Sequence, residues 1–431
     1  MKYKFKTTDI NFKNDLEKLV HNTREYSRDI STVVTDILKS IKDNGDKALL
    51  ELTNKFDQNG FKLNDLSLTK SEIDEYSSDL DQNIKSSIEF AAKRIEDYHK
   101  YQVPSDHIFT DETGTTMGYQ WKSIERVGIY VPGGTASYPS TVLMNAIPAI
   151  VAGVDDIVMV TPAINGSLSP STIYAANFLG IKEIYRIGGA QAIGALAFGT
   201  KNIMKVDKIV GPGNSYVAEA KKQVFGEVGI DMFAGPSEIV IISDGEVDPS
   251  IIASDLLSQA EHDNNSQSIL ITDNEEFANE VELKVLEQLE TLPRKSIAEL
   301  SWSSHGAMII TNNIDESIEI SNLLAPEHLE LAFTDAKNYL NKIKHAGAIF
   351  VGTYTPEAIG DYLAGPSHVL PTNRTARYSS GLSVYDFLKR SSIIQCTRES
   401  LEKIGSNAIS IAKDEGLDGH ARSIEYRLSK K

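Results

Sequence analysis

Cysteine is nearly absent from this chain: Cys396, in SSIIQCTRE, is the only one in 431 residues. A single thiol closes no intrachain disulfide and rules out cysteine-built metal sites, so any metal must be held by nitrogen and oxygen ligands. Its apolar neighbours lead us to expect a buried core thiol, and no partner nearby in the sequence marks it as a nucleophile. Long apolar runs are missing too, with no stretch of about 18 residues able to span a bilayer. The opening MKYKFKTTDI lacks the apolar core of a signal peptide. Basic residues are in deficit, 43 against 60 acidic, for a net charge of -17 with His neutral. Such a surface repels nucleic-acid phosphates and anionic membranes while leaving room for a local anion site. We therefore expect a cytoplasmic protein that binds neither nucleic acid nor membrane. Two phosphate-binding signatures, G-x-G-x-x-G and G-x-x-x-x-G-K-[ST], are also absent.

The chain exceeds the roughly 250 to 300 residues at which one core stops growing, which implies more than one domain. Residues 1 to 125 are charged and mostly of helical period, as in VVTDILKSIKDNGDKALLELTNKFD and LDQNIKSSIEFAAKRIEDYHKYQ, the latter stopped by Pro104. His99 and His107 near that stop read as surface or packing residues. From Val127 to Asp244 the runs RVGIYVP, DDIVMVTP, KEIYRIGG, VDKIVGPG and EIVIISD alternate with helical segments. Strands apolar on both faces between helices predict a parallel sheet. A second αβ pattern follows, with strands SILITD, AMIITN and AIFVGTY and helices over about 279–291, 315–325 and 335–345. The chain ends in SVYDFLKRSSIIQ and two helical runs, a module too small for its own core and expected to pack on another domain or subunit.

Three strand-to-helix junctions of the first sheet are glycine-rich: Tyr130-Val131-Pro132-Gly133-Gly134, Gly188-Gly189-Ala190-Gln191 and Gly211-Pro212-Gly213-Asn214. Each could be a simple turn. Together, at the carboxyl ends of parallel strands, they suit the close approach of a dinucleotide.

In QAEHD, Gln259 and His262 stand three apart at the end of a helical run and can aim at one object. Imidazole suits a zinc-like ion, an amide oxygen is a weak ligand, and a charged ligand must come from elsewhere. Four further patches carry reactive groups on punctuated loops: APEHLE with Glu327 and His328, GDYLAGPSH with Asp361 and His368, DEGLDGHA with Glu415 and His420, and DMFAGPSE with Ser237. Asp361 reads more readily as a turn cap, and His420 could equally be a surface residue. Glu327-His328 offers a base for an alcohol proton and a carboxylate to orient water.

The motifs GIYVPGG, GGAQAIGALA, VDKIVGPGN, DMFAGPSE, LLSQAEHD, APEHLE, GDYLAGPSHVLPT and EGLDGHARS, in this order, resemble those of the histidinol dehydrogenases over about residues 20–430. The resemblance implies two incomplete Rossmann-like parallel-sheet domains with small helical N- and C-terminal extensions, in an intertwined homodimer. It implies an N-terminal extension (1–25), a first α/β domain (26–126 with 240–375), an NAD-binding domain (127–239) and a C-terminal helical module (376–431) that enters the partner's site. It further implies oxidation of L-histidinol to L-histidine with two NAD and one zinc per subunit. Zinc would be held by Gln259, His262, Asp361 and His420. Substrate would meet Ser237, Gln259, His262, Glu327, His328, Asp361, His368, Glu415 and His420, with Glu327 and His328 catalytic. NAD would lie near Tyr130, Gln191 and Asn214. A related dehydrogenase acting on another amino alcohol, and a binding module with structural zinc, are the alternatives.

Overall fold

The computed structural model describes residues 3–21, 28–57, 60–133, 137–232 and 235–429. Gly134 of the first glycine junction, Phe233 and Ala234 of DMFAGPSE, and residues 1, 2 and 22–25 of the expected extension lie outside them. In chain order the strands are β1 (Tyr3–Lys6), β2 (His107–Thr110), β3 (Thr116–Ser123), β4 (Arg126–Tyr130), β5 (Asp156–Val160), β6 (Glu183–Tyr185) and β7 (Lys208–Val210). They continue with β8 (Gly229–Ile230), β9 (Glu238–Ser243), β10 (Gln267–Thr272), β11 (Ala307–Ile310), β12 (His328–Leu331), β13 (Ala348–Val351) and β14 (Leu388–Gln395).

Two parallel sheets organise the chain. The first has the order β6-β5-β4-β7-β8 and the second β1-β11-β10-β9-β12-β13. Leaving β1 aside, each runs third-second-first-fourth-fifth in its own stretch of chain, so the second sheet repeats the topology of the first. The central strands RVGIY (β4) and EIVIIS (β9) are buried at every position, as expected of strands covered by helices on both faces.

The helices of 28–100 pack on the first sheet. Val34, Leu38 and Ile41 share a core with Ile193 and Leu196, while Ile88, Ala91 and Ile95 share one with Val142 and Ile147. An amphipathic helix packs wherever an apolar sheet face is open, and chain proximity does not choose that face. The N-terminal extension is only partly helical. Its β1 pairs with β11, and Leu16 and Leu19 of the helix Phe12–His21 join the core of the second sheet.

A third sheet, β14-β3-β2, is antiparallel and comes from stretches in which no strand was expected. It binds the C-terminal module to residues 116–123. Cys396 follows β14 and is exposed, against the expected core thiol, because β14 is solvent-facing along most of its length. The segment expected to be helical near 335–345 forms a 3-10 turn (Ala336–Lys342), and an unforeseen helix spans Lys295–His305. His99 is fully buried and bonds Gln102, whereas His107 is exposed on β2.

The glycine junctions follow β4, β6 and β7, at the carboxyl ends of the first sheet. The second sheet uses its other end: Ser237 precedes β9, and His328 opens β12 opposite Ile239. Ser367 Oγ donates to Met144 O at 3.2 Å and Arg94 Nε to Leu363 O at 2.5 Å, so the loop after Asp361 is fastened to the first unit.

Candidate active site

The strand β12 begins on a strained corner. Ala325, at the end of the helix Ile314–Leu324, adopts φ 49° and ψ 61°, a left-handed conformation unusual for a residue with a Cβ. Glu327 and His328 follow directly and are both buried. The backbone of Glu238 receives both: Glu238 N donates to Glu327 Oε2 at 2.9 Å, and His328 Nδ1 lies 2.9 Å from Glu238 O. A carbonyl only accepts, so Nδ1 carries the hydrogen and the neutral ring keeps a lone pair on Nε2. Burial lowers the His328 pKa to about 4, so this lone pair is free at neutral pH. Burial pushes the Glu327 carboxyl well above the usual range, with the nearby acids Glu238, Glu357 and Asp361 adding to the rise.

Facing His328 Nε2 at 3.6 Å is Glu357 Oε1, from the short helix Glu357–Tyr362. One ligand atom from each of His328, Glu357 and Asp361 lies within 4.8 Å of the others. Asp361 Oδ2 is 3.9 Å from His262 Nε2, and Asp361 Oδ1 is 3.7 Å from His368 Nδ1. His368 Nδ1 is also 3.2 Å from Asp361 O, and burial lowers its pKa.

The helix Pro249–Ala260, capped by Asp248, ends just before His262, whose N–H bonds Gln259 O at 3.2 Å. Gln259 is fully buried, and neither its Oε1 nor its Nε2 has a hydrogen-bond partner among the described residues. Its neighbour Ser258 donates to Glu357 Oε2 at 3.3 Å. Two of the predicted residues stay apart. Glu415 and His420 are exposed at the junction of the helices Arg398–Asp414 and Asp418–Ser429, which pack on each other.

Glu357 is the site residue that sequence reading missed. It sits in TPEAIG, which carries no motif, and only its fully buried placement beside Asp361 sets it apart. Burial, with Asp361 next, raises its pKa from 4.5 to about 8. Below pH 4.5 the group is neutral whether folded or unfolded. Between 4.5 and 8 the unfolded chain gives up the proton that the folded chain keeps, so folding loses stability steadily as the pH rises through that window. Above 8 the loss is constant. In metal-free, substrate-free protein, Glu357→Gln should therefore melt several degrees above the parent at pH 8, with the gain vanishing towards pH 4.5. Calorimetry across that range checks it, and a gain independent of pH would contradict the assignment.

At the first sheet, the three junctions converge on Tyr130. Its hydroxyl accepts from Gly189 N at 3.1 Å, and burial raises its pKa to about 12. Gly211 (φ 115°) lies so close that a Cβ there would stand 2.1 Å from Tyr130 O. Gln191 is buried in the helix Gly189–Phe198, and Asn214 caps the helix Ser215–Val224 through Tyr216 N and Val217 N. A cleft of about 370 Å³ opens at the first of these junctions, lined by Pro132, Gly133, Thr161, Pro162, Asn165 and Ser169 among others.

Paired parallel sheets, one ending in glycine turns of which the first borders a cleft, the other presenting a buried imidazole among carboxylates, define an α/β oxidoreductase. The chain matches the family Histidinol dehydrogenase over residues 20–428. It is 52% identical over 423 residues to histidinol dehydrogenase 1 of Nostoc sp., covering 98% of each chain. With the histidinol dehydrogenase of Gluconobacter oxydans it shares 49% over 424 residues, 98% of this chain and 99% of that one. The crystal structure of histidinol dehydrogenase from Elizabethkingia anophelis superposes with a TM-score of 0.94 at 38% identity, over 99% of this chain and 98% of that one. The chain belongs to the histidinol dehydrogenase family and is an oxidoreductase. Among the described residues, no helix is long and apolar enough to cross a membrane.

Proposed function

We propose that this chain oxidises L-histidinol through bound L-histidinal to L-histidine in the cytoplasm, using two NAD in turn and one zinc per subunit of a homodimer. The observation that carries the reading is the buried Gln259 side chain, unpartnered among the described residues, beside His262, whose Nε2 stands 3.9 Å from Asp361 Oδ2. A buried amide left without partners is costly unless something fills its valences. Gln259, His262 and Asp361 offer the neutral oxygen, imidazole and charge that a zinc ion accepts, and His420 of the partner subunit would complete the set. The exposed helical pair 398–429 supports that last step. Ile411, Leu417 and Tyr426 stand 61%, 43% and 65% exposed there, apolar side chains left uncovered by the described residues.

Zinc, when bound, serves as a template that fixes the imidazole and amine of histidinol. NAD, when bound along Tyr130, Gln191 and Asn214 in the 127–239 domain, is the two-electron acceptor of each oxidation. His328 takes the hydroxyl proton on Nε2 while its Nδ1–H holds Glu238 O, so the ring cannot turn away. Glu327, anchored by Glu238 N, removes a proton from the water that attacks the aldehyde carbon. Its raised pKa makes the ionised carboxylate a stronger base than an exposed one. His328 then takes a hydroxyl proton of the hydrated aldehyde. Ser237, His368 and, across the dimer, Glu415 orient the substrate.

The test is an assay with L-histidinol that counts NADH. Two NADH per histidinol, lost with a chelator and regained with zinc, is the expected result. A stoichiometry of one, or full activity after complete metal removal, would sink the reading.

A further inference from the structure

A buried ion pair stands behind the third glycine junction, and neither member is assigned to the substrate or the metal. Lys221, on the helix Ser215–Val224, pairs with Asp231, which follows β8; their side chains are 3% and 1% exposed. Both partners grip one glycine. Gly211 N donates to Asp231 Oδ2 at 2.8 Å, and Lys221 Nζ donates to Gly211 O at 2.9 Å. Asp231 is itself held by Met232 N, which donates to Oδ1 at 2.7 Å, and by its own N–H to Ile209 O at 3.2 Å.

Burying two charges is expensive, and an apolar pair of similar volume usually gives equal or better stability. The geometry shows what the ions do that an apolar pair would not: they fix the peptide groups on both sides of Gly211. That glycine is held at φ 115° against Tyr130 O, a conformation closed to other residues. The Gly211–Pro212–Gly213 turn leads straight to Asn214, and Asp231 opens the crossover to Ser237 and β9. One ion pair therefore ties the turn to the start of the segment that crosses into the second sheet.

We propose that Lys221 and Asp231 form a positioning pair that sets dinucleotide affinity by holding the 211–214 turn, without touching the dinucleotide. This rests on the reading that NAD lies along Tyr130, Gln191 and Asn214.

Steady-state kinetics of the metal-replete enzyme test it, using Asp231→Asn, Lys221→Met and the double variant. The double variant buries no lone charge and so separates positioning from misfolding. Each should raise KM for NAD about ten- to a hundredfold, with KM for histidinol and kcat at saturating NAD within about threefold of the parent. A folded double variant with parental KM for NAD overturns the proposal, as does a loss confined to kcat. Asn214→Ala distinguishes the two readings. If it raises KM for NAD and the pair variants do not, the positioning role alone falls. If it too leaves KM for NAD unchanged, the dinucleotide does not use this turn and both fall.

Discussion

His328→Asn is expected to lower kcat roughly a thousandfold for histidinol and for histidinal alike, with KM for histidinol changed only a few-fold. The ring is the group whose free nitrogen faces the cluster of Glu357 and Asp361, and its other nitrogen is committed to Glu238 O. An Asn side chain can keep that backbone contact through its amide hydrogens but offers no basic nitrogen. The loss should therefore fall on proton removal, which both oxidations need. The pKa of about 4 adds a second expectation. The parent should retain a neutral His328 down to pH 5, so any acid limb above that pH belongs to another group, such as the Glu327 carboxyl with its raised pKa. Stopped-flow measurement of each half-reaction separates the outcomes. A variant slow with histidinol but normal with histidinal would confine His328 to the first oxidation.

His262→Asn should leave the protein folded, nearly empty of zinc by elemental analysis, and without measurable oxidation of either substrate. His262 is 43% exposed at its side chain and bears no part of the core, so the fold has little to lose. Losing an imidazole from a set that contains a weak amide ligand leaves too few donors for tight binding. His420→Asn should behave the same way if the partner subunit supplies it. Mixing the two inactive proteins under conditions of subunit exchange should then restore roughly one quarter of the sites, since half the dimers are mixed and each carries one intact site. No recovery despite proven exchange would place His420 outside the site, and zinc retained at parental level in His262→Asn would remove His262 from the ligand set.

The alternation of RVGIY, DIVMV and EIVIIS with helical runs was legible because each strand buried on both faces must be apolar throughout, a demand met residue by residue along the chain. The glycine junctions were legible for a related reason. Gly211 adopts a backbone angle that other residues avoid, so the sequence records it. The reactive pairs Gln259 with His262 and Glu327 with His328 could be read because their members are neighbours on one element.

By itself, then, the sequence determined two parallel-sheet units, their turns and the family. Tertiary structure decided the rest. It set which sheet the helices 28–100 cover, sent β14 across to β3 and left Cys396 in solvent. It also brought Glu357 to His328, chose the ring tautomer through Glu238 O, and buried Gln259 without a partner among the described residues. The physical reason is range. Periodicity and backbone angle are local properties that neighbouring residues encode, whereas burial, desolvation and the meeting of side chains from distant segments exist only once the sheets have packed.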